Sequence, residues 1–375
     1  MKCTSLFAAF IFAVLIADQA QAGAPLPGVF MPAGAMAQAD DFPTATALPD
    51  GRVLVCDSTA CQHFDPATNA WSAPTAMLNQ HAEHTATALA DGRVLIAGVG
   101  WITPGEPSAE IFNPATGQFT ATGGMLTPRF SAVAVRLASG EVLVMGGYDA
   151  NDGSTVLASA EIYSPTTGIF RATGAMATAR IGFTATVLND GRVLVAGGFL
   201  SGLYLANAEI YSPQTGTFTA VAGGMTQPRY QHAAALLADG RVLVAGGWSY
   251  YFTSMRPTAS AEIFDPATGA FSALAASMTD SRESLMLTLL PSGLVLAAAG
   301  YDASNEVLDT AEVFDPSTAT FTRLPTTLHA AVEAPATASL ADGRVLVAGG
   351  SNGAGGYVVS ADLFVPDRVF AGGFE

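Results

Sequence analysis

Two histidines and several carboxylates recur at one position of a repeated pattern. Glu83 and His84 stand just before TATAL from Thr85, Gln231 and His232 just before AAALL from Ala233, and Glu333 just ahead of TASL from Thr337. Ser131, Phe183 and Ser284 occupy corresponding places in other copies. Two imidazoles and two carboxylates gathered near one axis have the chemistry of a weak metal site or an acid/base pair. Spread around a rim, the same groups are merely solvated. Glu83, His84 and His232 are the polar candidates for contact with a ligand.

Aromatic residues supply the other candidate set. Trp101, Tyr148, Phe199, Trp248, Tyr251 and Tyr301 fall in segments of variable length and composition, with Tyr204, Tyr250, Phe252 and Tyr357 in the same kind of segment. Exposed rings around a cleft are surfaces on which sugars stack or apolar protein anchors seat. The plain alternative is that they pack loops against one another.

Charged residues also repeat. Arg129, Arg180, Arg229 and Arg282 each follow a methionine by four residues (Met125, Met176, Met225, Met278), and the same four copies carry Glu161, Glu209, Glu262 and Glu312. This predicts a recurring Arg–Glu ion pair, which four copies mark as structural rather than catalytic. The first copy has Asp40 and Gln62 and lacks both partners. Asp149-Ala150-Asn151-Asp152-Gly153-Ser154 resembles part of a calcium loop, but without the distant glutamate of an EF-hand, and in a β context, it reads as an Asx-rich turn rather than a calcium site. No metal or cofactor is called for.

The elements that must position these residues are announced by two phrases. DGRVLVAGG at Asp190 to Gly198 returns as variants starting at Pro49, Asp91, Ser139, Asp239, Ser292 and Asp342, seven copies in all. EIYSPTTGIF from Glu161 returns in step with it, beginning at Gln62, Glu110, Glu209, Glu262, Glu312 and, shortened, Asp362. A period of about 50 residues fits a four-stranded propeller blade better than a helical or leucine-rich repeat. Within Arg180 to Met225, FTATVL from Phe183 is an alternating strand, Asn189-Asp190-Gly191 a hairpin turn, and Arg192 to Ala196 an apolar strand. Ala208 to Tyr211 and Thr217 to Ala220 complete the unit around a Pro-x-Thr-Gly turn.

The last copy runs out of chain before a fourth strand. Phe30 to Met36 (FMPAGAM) matches Phe170 to Met176 (FRATGAM) position for position, so the N-terminal segment is expected to supply that strand and close the ring. The fold class is therefore all-β, a seven-bladed propeller with four antiparallel strands per blade. Short, nearly constant turns join strands one to two and three to four. The long connections between strands two and three share the opposite face with the links between blades, and that face is expected to carry specificity.

Composition sets further bounds. The 375 residues include a single lysine, Lys2, and 31 carboxylates against 15 basic residues, for a formal net charge of -16. Such a surface repels phosphate backbones, so nucleic acid is not expected as a partner. Residues 1–22 read as a signal peptide: Lys2, an apolar run from Leu6 to Ile16, and Ala20-Gln21-Ala22 before the cut. The run is too short to span a bilayer, and no later stretch is long enough. The domain then covers residues 23–370, followed by a tail, 371–375. Export to the periplasm or beyond leaves Cys56 and Cys61, flanking four residues on neighbouring strands, as a disulfide pair in an oxidising compartment.

The combination of RxxHxATxLxDGRVLVAGG and AEIYDPxTGxF resembles the kelch repeats of bacterial galactose-oxidase-like proteins across nearly the whole mature chain. The resemblance implies the kelch propeller fold, which serves oxidases, sugar mutarotases and binding scaffolds alike. A copper-radical oxidase would need two tyrosines, two histidines and a cysteine cross-linked to a tyrosine, and the Tyr-His dipeptide of such enzymes is missing here. The expectation is an exported, monomeric, non-catalytic propeller for a carbohydrate or protein ligand. A sugar-active enzyme, similar to a sialic-acid mutarotase or, less closely, to galactose oxidase, is the alternative.

Overall fold

The structure, a computed structural model, describes residues 27–40, 42–99, 109–251 and 254–366. The proposed signal peptide, Trp101, Phe252 and the tail lie outside them, as does the side chain of Tyr251.

Seven antiparallel sheets follow the repeat, each ordered from an inner strand to an outer one. The second strands Val53–Cys56, Val94–Ala97, Val142–Met145, Val193–Ala196, Val242–Ala245, Val295–Ala298 and Val345–Ala348 are buried at every residue. A strand packed on both faces has no use for alternation, hence the unbroken VLVA runs. Outer strands such as Gln118–Ala121 and Ile169–Ala172 bury only their aromatic residue. The DGR turn depends on its glycine: Gly191 takes φ 84°, and the equivalent glycine of every other blade lies between 84° and 88°. Residues with a Cβ avoid that conformation.

Aromatic pairs face each other across the third and fourth strands. Tyr163 and Phe170 have centroids 4.9 Å apart, and both join the cluster containing Leu95, Ala97 and Ile111 of the preceding blade. The rings thus fill space between blades.

The ring closes as the sequence implied. Gly28–Ala35 pairs antiparallel with Ser360–Pro366, Phe30 lies opposite Phe364, and their rings are 5.1 Å apart. Blade one departs from four simple strands. Its outer strand is broken into Ala70–Trp71 and Thr75–Ala76, both paired with Ala60–Asp65, and Pro74 falls in the break, where its missing N–H does no harm. Cys56 and Cys61 are directly opposite across the second and third strands and form a disulfide.

The recurring ion pair is present within blades. Arg129–Glu161 and Arg180–Glu209 meet at 2.8 Å, Arg229–Glu262 at 3.1 Å and Arg282–Glu312 at 3.3 Å, with no arginine side chain exposed. Each arginine also donates to backbone, as Arg129 does to the carbonyls of Gly146 and Ser159. Burial pulls the arginine pKa values down and the glutamates push them back up.

The third-strand acceptor has a second task common to all seven blades. It takes the backbone N–H that follows the conserved-spacing Met or Leu: Ala37 to Gln62, Leu78 to Glu110, Leu126 to Glu161, Ala177 to Glu209, Thr226 to Glu262, Thr279 to Glu312 and His329 to Asp362. This anchors the segment leading into each inner strand, and so the rim of the central channel.

Candidate ligand-binding site at the axial mouth

Six residues after that Met or Leu, every blade places one residue in the left-handed region: Phe42 (φ 51°), Glu83 (46°), Ser131 (52°), Gly182 (56°), Gln231 (53°), Ser284 (49°) and Ala334 (49°). They encircle the axis and are joined by backbone hydrogen bonds, Ser131 N to Glu83 O at 3.1 Å, Gln231 N to Gly182 O at 2.8 Å, Ser284 N to Gln231 O and Ala334 N to Ser284 O at 2.9 Å. A non-glycine residue held this way costs roughly 1 kcal/mol or more. Side chains are kept there despite that cost. Only blade four uses glycine, because a Cβ on Gly182 would lie 2.2 Å from the Tyr230 ring.

The residues one step earlier pair with the start of each variable segment. Phe130 bridges Tyr148, Ile181 bridges Phe199, Tyr230 bridges Trp248, Glu283 bridges Tyr301 and Glu333 bridges Ser351. Tyr148, Phe199, Trp248 and Tyr301, singled out as separate aromatics, are thus equivalent positions of four blades on one face. The variable segments of blades four and five are more regular than irregular loops. Phe199–Leu200 pairs with Leu203–Tyr204, and Trp248–Tyr251 with Ser254–Pro257. Positive φ at both Ser201 (48°) and Gly202 (88°) makes the first a tight hairpin.

The rim encloses a cavity of about 530 Å³ to which all seven blades contribute, among them Phe42, Glu83, His84, Ser131, Tyr148, Tyr230, Gln231, His232 and Ser284. Tyr148 stacks on Phe130 with centroids 5.1 Å apart. Tyr230 lies parallel to Tyr204 at 5.9 Å and contacts Phe199 at 5.5 Å. Of the proposed aromatics, Tyr148 lines the cavity, while Phe199, Trp248 and Tyr301 are not among its lining residues. Tyr230, which sequence reasoning passed over, is a second tyrosine at the mouth. Its signal was the place directly before Gln231-His232.

The histidines have structural partners. His84 Nε2 meets Thr44 Oγ1 at 2.8 Å and His232 Nε2 meets Thr184 Oγ1 at 3.0 Å, each reaching the first inner-strand residue of the blade before it. His84 Nδ1 is 2.9 Å from the His81 carbonyl. Burial lowers the His84 pKa to about 4 and that of His232 to about 3, with His81 and Arg229 adding to the effect. Both rings are therefore neutral near pH 7.

The carboxylates behave differently. Glu83 lines the cavity and accepts from the Ser131 hydroxyl. Glu283, also unremarked in the sequence, is buried beside the rim, and desolvation, together with the charge of Glu333, raises its pKa to about 7 against hydrogen bonds from Ser284 (2.6 Å) and Trp248. Burial raises Tyr230 to about 12, with Tyr148, Glu283 and Glu83 contributing. Among the described residues, no three His, Cys, Asp or Glu side chains converge as metal ligands. The Asp149 to Thr155 loop forms Asx turns: Asp149 Oδ1 accepts from Asn151 N, and Asp152 Oδ1 from Ser154 N and Thr155 N. Grooves of about 620 and 640 Å³ open on the opposite face, but the repeating DGR and SG turns line them, leaving little to distinguish one ligand from another.

Residues 180–225 and 291–327 match the Kelch motif family. Those two stretches carry the Kelch motif, within a chain that folds as a seven-bladed β-propeller. A solved structure of a fungal alcohol oxidase of the AA5 family, in complex with copper, is similar in fold, with a TM-score of 0.68 and 17% identity over 89% of this chain and 76% of that one. At that identity the likeness concerns the galactose-oxidase-like fold alone. No curated protein matches this kelch propeller significantly in sequence.

Proposed function

We propose that the protein is an exported, non-catalytic kelch propeller that binds a carbohydrate or protein ligand on the face bearing the long strand two to strand three segments. The observation that carries this reading is the seven-blade cavity whose wall combines Tyr148 and Tyr230 with Glu83, Ser131, Gln231 and Ser284. Concave sites with aromatic walls and a few convergent polar groups are typical binding sites. Export is supported by the Cys56–Cys61 disulfide, a bond that persists in oxidising compartments.

Copper-oxidase chemistry fits these residues poorly. The Nε2 atoms of the two cavity histidines are engaged by Thr44 and Thr184 rather than presented together as ligands. A mutarotase-like activity is the second reading, favoured by Glu283, whose pKa near 7 suits proton transfer. A sialic-acid substrate would bring a carboxylate to a cavity with no Lys or Arg among its lining residues. A glycan array, read beside a peroxide-release assay of the copper-treated protein on a sugar panel, tests the proposal. Glycan binding without turnover is the expected result, a blank array points to a protein ligand, and any turnover overturns the non-catalytic reading.

A further inference from the structure

The charge of the mouth narrows the ligand. Glu83 lines the cavity with the rings of Phe42, Tyr148 and Tyr230, and both tyrosines feel its charge. Phe42 is 37% exposed, and burial keeps both tyrosines in their neutral phenol form. The nearby arginines, Arg129, Arg180 and Arg229, are enclosed and committed to their glutamates. A carboxylate among aromatic rings, on a chain of net charge -16, is a setting that attracts an organic cation.

The rest of the rim speaks to what carries that cation. Ser131 and Ser284 donate their hydroxyl hydrogens to Glu83 and Glu283, so each oxygen still offers lone pairs, and Gln231 supplies an amide between them in blade order. A cup of about 530 Å³ is wide for a single lysine side chain and suits a pyranose with its hydroxyls turned to the rim. Resting on the binding reading above, we propose that the axial mouth takes an amino sugar in its ammonium form, the nitrogen at Glu83 beside Phe42, Tyr148 and Tyr230 and the hydroxyls toward Ser131, Gln231 and Ser284.

Titration calorimetry of the intact protein at pH 6 with a glucosamine tetramer, its fully N-acetylated counterpart and a lysine tetrapeptide tests this. The glucosamine tetramer is expected to bind about tenfold more tightly than the acetylated one. Glu83→Gln should abolish that preference with an unchanged melting curve, while Glu306→Gln, removing an exposed acid elsewhere, should leave it intact. Equal affinity for the two tetramers would overturn the ammonium assignment and leave carbohydrate binding standing. Binding of the lysine peptide in preference to both sugars would overturn the sugar assignment, as would equal losses from Glu83→Gln and Glu306→Gln, which would mark diffuse attraction. No binding to any sugar, there or on the array, would remove the carbohydrate reading itself.

Discussion

His81 Nε2 meets Glu110 at 3.0 Å with both side chains fully enclosed, at the position where four other blades set an arginine on a glutamate. Its Nδ1 lies 2.9 Å from the Gly98 carbonyl, as the Arg129 guanidinium lies 3.0 Å from Gly146 O. A smaller side chain thus makes the same two connections, one to the third strand and one to the end of the second. In these five blades a buried polar side chain bridges the second and third strands, and arginine is not the only residue that can do so.

Truncating the acceptor should therefore be costly. Glu161→Ala leaves Arg129 buried without its counter-charge and strips the Leu126 and Thr127 N–H groups of their acceptor. The expected loss is about 3–5 kcal/mol in urea denaturation. Arg192→Ala removes an ion pair at 2.7 Å whose partners are 42% and 48% exposed, and should cost below about 1 kcal/mol. Comparable losses for the two variants would refute the structural weight given to the buried pair.

Ring closure yields a second prediction. Phe30 is 8% exposed and packs on Phe364, so Phe30→Ala should lower stability by about 3–5 kcal/mol. Deleting residues 28–36 uncovers the edge of Ser360–Pro366, which should pair with other chains and appear as oligomers in size-exclusion chromatography. A monomer with an unaltered melting temperature would show that the first strand contributes nothing to the lock.

These two features were legible beforehand because they repeat. Seven copies of one phrase fixed the blades, a match between Phe30 and Phe170 supplied the missing strand, and four Arg–Glu coincidences gave the ion pair. Substitutions that keep geometry while changing residue type were not legible. His81 stands where other blades have arginine and carries no repeated residue type to mark it, and Asp362 binding the His329 N–H is shorter than its glutamate counterparts. The mouth was read in part. Glu83, His84 and His232 do line it, but that the histidine Nε2 atoms are occupied by Thr44 and Thr184 of neighbouring blades depends on contacts 40 and 48 residues apart. Nor does any local pattern mark Glu283, whose character comes from burial by other segments.

Glu283 carries a pH signature. Its folded pKa, raised to about 7, lies above the ordinary 4.5, so between those values the folded state holds the proton more often than the unfolded one. Stability from this group is full below about pH 4.5 and falls as pH climbs toward 7, by on the order of 3 kcal/mol at most. Glu283→Gln should flatten that part of the pH profile and be relatively more stable than the parent at pH 8 than at pH 5. Parallel profiles from pH 4.5 to 8 would show that the carboxyl titrates normally.

Gly182 connects the backbone of the rim to the proposed site. At φ 56° it shares the left-handed geometry of its six counterparts, yet it alone lacks a side chain, since the Tyr230 ring occupies the Cβ position. Gly182→Ala must therefore move Tyr230 away from the mouth, or shift the backbone that holds Gln231 to the Gly182 carbonyl at 2.8 Å. Alanine tolerates this conformation at a cost of about 1–2 kcal/mol, as Ala334 already does at φ 49°, so the fold should survive. Ligand affinity should drop about tenfold or more if Tyr230 forms the stacking wall. Tyr230→Ala in the Gly182→Ala background tests whether both act through the same ring. The double variant should bind no worse than Tyr230→Ala alone, whereas additive losses would mean that the glycine serves the rim in some other way.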